Sequence, residues 1–112
     1  MKKLILLLFV ACAQELPIVE TVEKVTFQQL MENNYPLIDV RTPQEFQGGH
    51  IENATNIDFN AADFTDKISA LDKETPFLIY CAVGGRSARA ASLMKSLGFK
   101  KVYELKGGYN NW

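Results

Sequence analysis

Compact apolar runs alternate with helically spaced segments about five times along this chain, and few folds satisfy that alternation. Leu37-Ile38-Asp39-Val40 and Phe77-Leu78-Ile79-Tyr80 are short and nearly unbroken, as expected of strands buried on both faces. Ala54 to Ile57 and Val102 to Leu105 read as two further strands. Between them, Phe64, Ile68 and Leu71 recur at helical spacing, as do Ala90, Ala91, Met94 and Leu97. Thr42-Pro43-Gln44-Glu45 is a capping box with proline at the first helical position, which predicts a short helix ending at Gly48-Gly49. Thr26 is the expected cap of a first helix carrying Phe27, Leu30 and Met31, closed by Asn33-Asn34. The pattern predicts an α/β fold, a small, mostly parallel five-stranded sheet with helices on both faces.

With 112 residues, 47% hydrophobic and 22% charged, the chain has the make-up of one ordinary domain. Its net charge of −1 and the lack of any basic run argue against nucleic-acid binding. The first residues stand apart. Met1-Lys2-Lys3 precedes an apolar stretch from Leu4 to Val10, too short to span a bilayer, and residues 1–13 read as an export signal. Two processing routes fit: cleavage after Ala13 in the A-x-A pattern, or lipid attachment at Cys12, since Phe9-Val10-Ala11-Cys12 resembles a bacterial lipobox. The brevity of the segment favours the lipoprotein. Either way the expected location is the periplasmic side, with residues 14–22 as a leader or tether and 23–112 as the folded domain.

Cys81 closes the Phe77–Tyr80 run and is followed by Ala82-Val83-Gly84-Gly85-Arg86-Ser87. A strand ending on a thiol, then a glycine turn, then a helix places sulfur where unpaired N–H groups and the positive helix end favour an anion. Such a thiol ionises readily and becomes a nucleophile. Removal or lipidation of Cys12 leaves Cys81 as the one free thiol of an exported chain, and without a C-x-x-C pair thiol–disulfide exchange is the weaker chemistry. In parallel sheets sites lie beyond the carboxyl ends of strands, where Asp39 to Arg41 and Cys81 to Arg86 both fall.

Five motifs in this order resemble the rhodanese-like, single-domain sulfurtransferase family. They are Ile38-Asp39-Val40-Arg41, Glu45-Phe46-Gln47-Gly48-Gly49-His50-Ile51, Ala54-Thr55-Asn56-Ile57, Tyr80-Cys81 through Arg86-Ser87, and Leu105-Lys106-Gly107-Gly108 followed by Trp112. The resemblance runs from about Val25 to Trp112. It implies a sulfur relay with no metal or organic cofactor. Cys81 takes the outer sulfur of a donor such as thiosulfate, or of a persulfide-bearing protein, and holds it as a persulfide until a thiol or cyanide removes it. Backbone N–H groups of Ala82, Val83, Gly84, Gly85 and Arg86 would hold the anion, with Gly84 and Gly85 turning the backbone inward. The four residues between Cys81 and Arg86 match the sulfurtransferase loop; related phosphatases and arsenate reductases carry one more. Many members have a basic residue after the cysteine, whereas this chain has Ala82 and Val83, which disfavours a dianionic donor and keeps open a persulfide carrier without efficient turnover. A monomer is expected.

Other residues have plainer expected roles. Arg86 would orient the loop by bonding its carbonyls and bias the thiolate. Asp39 would bond the neighbouring loop or Arg41, and Arg41 is either its partner or a rim charge. Glu45 is assigned to the helix cap alone. His50, the only histidine, has no second ligand to build a metal site with and is assigned a structural hydrogen bond. Tyr109 and Trp112 are expected to pack on the sheet edge.

Overall fold

The computed structural model describes residues 16–112; the expected export signal and Cys12 lie outside the described residues. Five strands, β1 (Val19–Val22), β2 (Leu37–Asp39), β3 (Thr55–Asn56), β4 (Phe77–Tyr80) and β5 (Val102–Leu105), form one sheet in the order β1-β5-β4-β2-β3. Every neighbouring pair is parallel. The helices are α1 (Lys24–Met31), α2 (Pro43–Gln47), α3 (Phe64–Ser69) and α4 (Gly85–Ser96), with a 3-10 turn at Tyr109–Asn111.

The central strand β4 divides the core by simple alternation. Phe77, Ile79 and Cys81 face one side, packed with Ala90, Ala91 and Met94 of α4 and with Phe64 and Ile68 of α3. Leu78 and Tyr80 face the other, with Phe27 of α1, Ile51 and Trp112. The small Ala90-Ala91 pair lets α4 approach the sheet closely, which brings its N-terminus over the end of β4.

Three expectations change. The leader at 14–22 is corrected at its carboxyl half, because Val19–Val22 is the fifth strand and pairs with β5 from Val19↔Val102 to Val22↔Leu105. Its β-branched residues suit a strand, and the unpaired edge of β5 supplies the hydrogen bonds. The first helix starts at Lys24, with Glu23 rather than Thr26 at the cap position, because the Phe27 N–H already bonds the Glu23 carbonyl. Trp112 packs edge-on against Phe27 of α1 at 6.1 Å, and Tyr109 lies 6.1 Å from Tyr80, so both cover a face of the sheet instead of its edge.

Candidate active site

Cys81 is the residue directly after β4 and is 1% exposed. The backbone leaves the strand, turns through Ala82 and Val83, and enters α4 from Gly84, whose φ of +119° is a left-handed value that disfavours any side chain. That turn aims the Gly84 N–H at the Cys81 sulfur, 3.0 Å away, at the N-terminus of a twelve-residue helix. Burial pushes the thiol pKa up, but hydrogen bonding from Ser87 and from the N–H groups of Gly84 and Val83 outweighs it, and the thiol sits below its ordinary value. Gly85 has a different role from the one expected: it is the first helical residue, open space surrounds the position of a Cβ, and the inward turn belongs to Gly84.

What frees the loop N–H groups to face inward is a strap on the outside. Tyr109 N–H donates to the Cys81 carbonyl at 2.7 Å and Asn110 N–H donates to the Ala82 carbonyl at 3.0 Å. Gly108, at φ +64° and ψ −164°, lets this strap approach: a Cβ there would stand 2.5 Å from the Cys81 carbonyl oxygen. Both carbonyls are thus engaged by the strap, on the outside of the loop whose Gly84 N–H bonds the Cys81 sulfur.

The charged residues are paired. Arg86 does not bond the loop carbonyls as expected. Its guanidinium forms a two-pronged bond to Glu45, Nη1 to Oε1 at 2.8 Å and Nη2 to Oε2 at 3.0 Å. Glu45 therefore does more than cap a helix. It completes the capping box with Thr42 and also ties α2 to the start of α4, and the Arg86 bond holds its carboxyl down at about 2. Arg86 still acts on the sulfur through its field, its positive charge attracting a Cys81 anion.

Asp39 and Arg41 meet as one of the two expected arrangements. The fully buried Asp39 carboxylate accepts from Arg41 N–H at 2.9 Å, Nε at 3.0 Å and Nη2 at 2.7 Å. Arg41 Nη2 also donates to the Gly49 carbonyl at 2.8 Å, and its guanidinium lies over the Tyr109 ring at 4.4 Å. Arg41 is thus an internal brace and not a rim charge. It joins the β2 end, the loop before β3 and the strap. His50 makes the structural bond expected of it, Nδ1 to the Phe46 carbonyl at 2.8 Å, while stacking on the Phe46 ring.

Two residues of the site carry no assignment from sequence. Ser87 Oγ lies 3.4 Å from Cys81 Sγ, and the same hydroxyl bonds the buried carboxylate of Glu104 on β5. The alternation of β5 held the signal: Glu104 shares a face with Val102, and that face points to α4. A separate cleft lined by Met31, Tyr35, Pro36, Leu37 and Asn53 lies at the opposite end of β2.

Known proteins are similar to this chain. The rhodanese-like domain model matches residues 24–112. The thiosulfate sulfurtransferase GlpE of Pseudomonas aeruginosa is 40% identical over 86 residues, covering 76% of either chain. The structure of the human single-domain sulfurtransferase TSTD1 superposes with a TM-score of 0.68 at 28% identity, over 82% of this chain and 93% of that one. The reduced Bacillus anthracis CoADR-RHD structure matches with a TM-score of 0.72 at 30% identity over 82% of this chain, which spans 16% of that longer protein. A cysteine cradle between β4 and α4, a parallel sheet behind it and a family match from Lys24 to the last residue make this chain a member of the rhodanese-like domain family.

Proposed function

We propose that the domain is a sulfurtransferase in which Cys81 carries sulfane sulfur as a persulfide. The observation that supports this best is the buried Cys81 sulfur, which accepts the Gly84 N–H at 3.0 Å at the start of α4. The attacking thiolate and the terminal sulfur of the persulfide are both anions, and one row of N–H donors stabilises both. In the forward half-reaction the Cys81 thiolate attacks the outer sulfur of the donor. An S–S bond forms to Cys81 while the donor's own S–S bond breaks, and sulfite, or a thiolate for a persulfide donor, departs with the electron pair. A thiol or cyanide then takes the outer sulfur and returns Cys81 as thiolate.

The test is intact mass. After incubation with thiosulfate the protein should gain one sulfur, lose it on adding cyanide, and show no gain as Cys81→Ser. A wild type that takes up no sulfur from thiosulfate or from a small persulfide overturns the assignment.

The charge arrangement supports a neutral or protein-borne donor over thiosulfate. Arg41 and Arg86 are each paired with a carboxylate, and the loop mouth presents Ala82 and a Val83 that is 66% exposed. Ala82→Arg should lower the thiosulfate KM by about tenfold, the worth of ~1.4 kcal/mol from one added cation near a dianion. Equal KM values in the two proteins would refute this donor preference. The same paired arginines favour the carrier reading, in which loading occurs but cyanide discharges the persulfide slowly. Residues 1–13 give the further proposal that the domain works on the periplasmic side, as a monomer, tethered by lipid on Cys12 or released by cleavage.

A further inference from the structure

Glu104 is a buried acid next to the reactive sulfur, and the sulfur-transfer chemistry does not call on it. Its carboxylate is 5% exposed and both oxygens accept hydroxyl hydrogens, Oε1 from Thr21 of β1 at 2.9 Å and Oε2 from Ser87 of α4. A carboxylate has acceptors only, so an ionised Glu104 takes one hydrogen from each hydroxyl. Its partners in register are Ile79 on β4 and Thr21 on β1, and a Cβ at Gly84 would stand 3.8 Å from Oε2. None of these is charged. Among the described residues no lysine, arginine or histidine forms an ion pair with Glu104. The sulfur itself faces Ser87, the Gly84 N–H and the field of Arg86, whose guanidinium is bonded to Glu45.

A serine hydroxyl has one hydrogen to give. The Ser87 hydroxyl has two acceptors within reach, Glu104 Oε2 in the shortest contact and the Gly84 carbonyl at 3.3 Å, and its oxygen accepts from the Cys81 thiol at 3.4 Å; a Cys81 thiolate would be a third acceptor. A charged oxygen at short range takes that hydrogen. The hydroxyl then shows the sulfur a lone pair, which suits a thiol S–H and opposes a thiolate. Ser87 favours the Cys81 anion only with its proton turned to the sulfur, the orientation that lowers the thiol pKa, and the Glu104 contact competes for that proton. A second negative charge in the same low-dielectric space adds repulsion.

We propose that Glu104, as the carboxylate, is a positioning residue that restrains Cys81: it captures the Ser87 hydroxyl proton and places a like charge behind the sulfur, keeping the resting thiol less nucleophilic than the loop alone would make it. The relevance to turnover rests on the sulfur-carrier reading of Cys81. The restraint itself concerns the thiol alone, so it can be measured where no sulfur is transferred.

The test is the rate of Cys81 alkylation by iodoacetamide, a neutral reagent, as a function of pH in the full domain; the thiol proton passes to buffer. Glu104→Gln keeps the shape and removes the charge. It should lower the midpoint of the alkylation profile by about one pH unit, giving about tenfold faster reaction below the wild-type midpoint. In the Ser87→Ala background the same replacement should accelerate alkylation about threefold or less, because no hydroxyl remains to turn. An unchanged or higher midpoint in Glu104→Gln overturns the restraint, and equal acceleration in both backgrounds overturns the hydroxyl competition. Should Glu104→Gln not fold, the wild type carries a second readout. The Ser87 hydroxyl proton, identified by its loss in Ser87→Ala, should be slow to exchange and far downfield in proton NMR. A folded wild type without that resonance overturns the proposal. Failure of sulfur loading with a normal alkylation response would instead count against the sulfur-carrier reading.

Discussion

Gly108→Ala is expected to unfold the site and lower the melting temperature by about 10 °C, the effect of ~2 kcal/mol or more in a domain of this size. Two costs combine. The backbone at φ +64° and ψ −164° occupies a region that only glycine populates freely. A methyl group would also be driven against the Cys81 and Ala82 carbonyls, which are backbone and cannot swing aside. To relieve the clash the strap must withdraw, and the two N–H donors that hold those carbonyls outward leave with it. Sulfur loading at Cys81 should fall with the loop geometry. Gly107→Ala makes the informative control. It also has a positive φ, +79°, but its new methyl meets the Asn111 side chain, which can rotate away. It should cost about 1 kcal/mol and leave most of the loading intact. Thermal melts and sulfur uptake on the two variants check this, and equal losses in both would show that the strap contact is not the cause.

Asp39→Ala is expected to be the most destabilising single replacement, by about 3–5 kcal/mol, because it leaves the Arg41 charge buried with no counter-ion. Arg41 is 5% exposed and Asp39 fully buried, so water cannot replace the lost carboxylate. Against a total stability of about 5–15 kcal/mol, much of the protein should be unfolded under conditions where the wild type is native. Asp39→Asn, which retains an acceptor oxygen, should lose less. Replacing both partners with apolar residues of similar volume should recover most of the stability, since the desolvation of two ions is then avoided. Urea midpoints of the single and paired variants measure all three. A drop below about 1 kcal/mol for Asp39→Ala would mean that the Arg41 side chain finds solvent after all.

Local signals were legible from sequence and non-local ones were not. The Phe77–Tyr80 run, the glycine at Gly84 and the helical spacing after it specify strand, turn and helix with no outside help, and they carry Cys81 to its place. The capping box at Thr42 formed as written, because its bonds join residues three apart. β1 escaped because its partner Val102 lies eighty-three residues away from Val19 and its four residues have little pattern of their own. Arg86 found Glu45 across forty-one positions, a pairing that no spacing rule announces. Gly107-Gly108 was visible as a turn, but what it leaned on was not. Glu104 is the instructive miss. A charged residue on the inward face of an otherwise apolar strand is a local contradiction, and such contradictions gather where a site needs them.

The strap also sets an order of events. Its N–H groups come from residues 109 and 110, whereas the carbonyls they hold belong to residues 81 and 82. Strand β4, the loop and α4 can all be synthesised, and can begin to pack, while the outer wall of the cradle is still missing. Until the chain has been made through Asn110 and that turn has docked, nothing fixes the Cys81 and Ala82 carbonyls outward. On the sulfur-carrier reading, Cys81 therefore gains its loop geometry only once that turn has docked, and a domain opened at the turn should hold an ordinary cysteine.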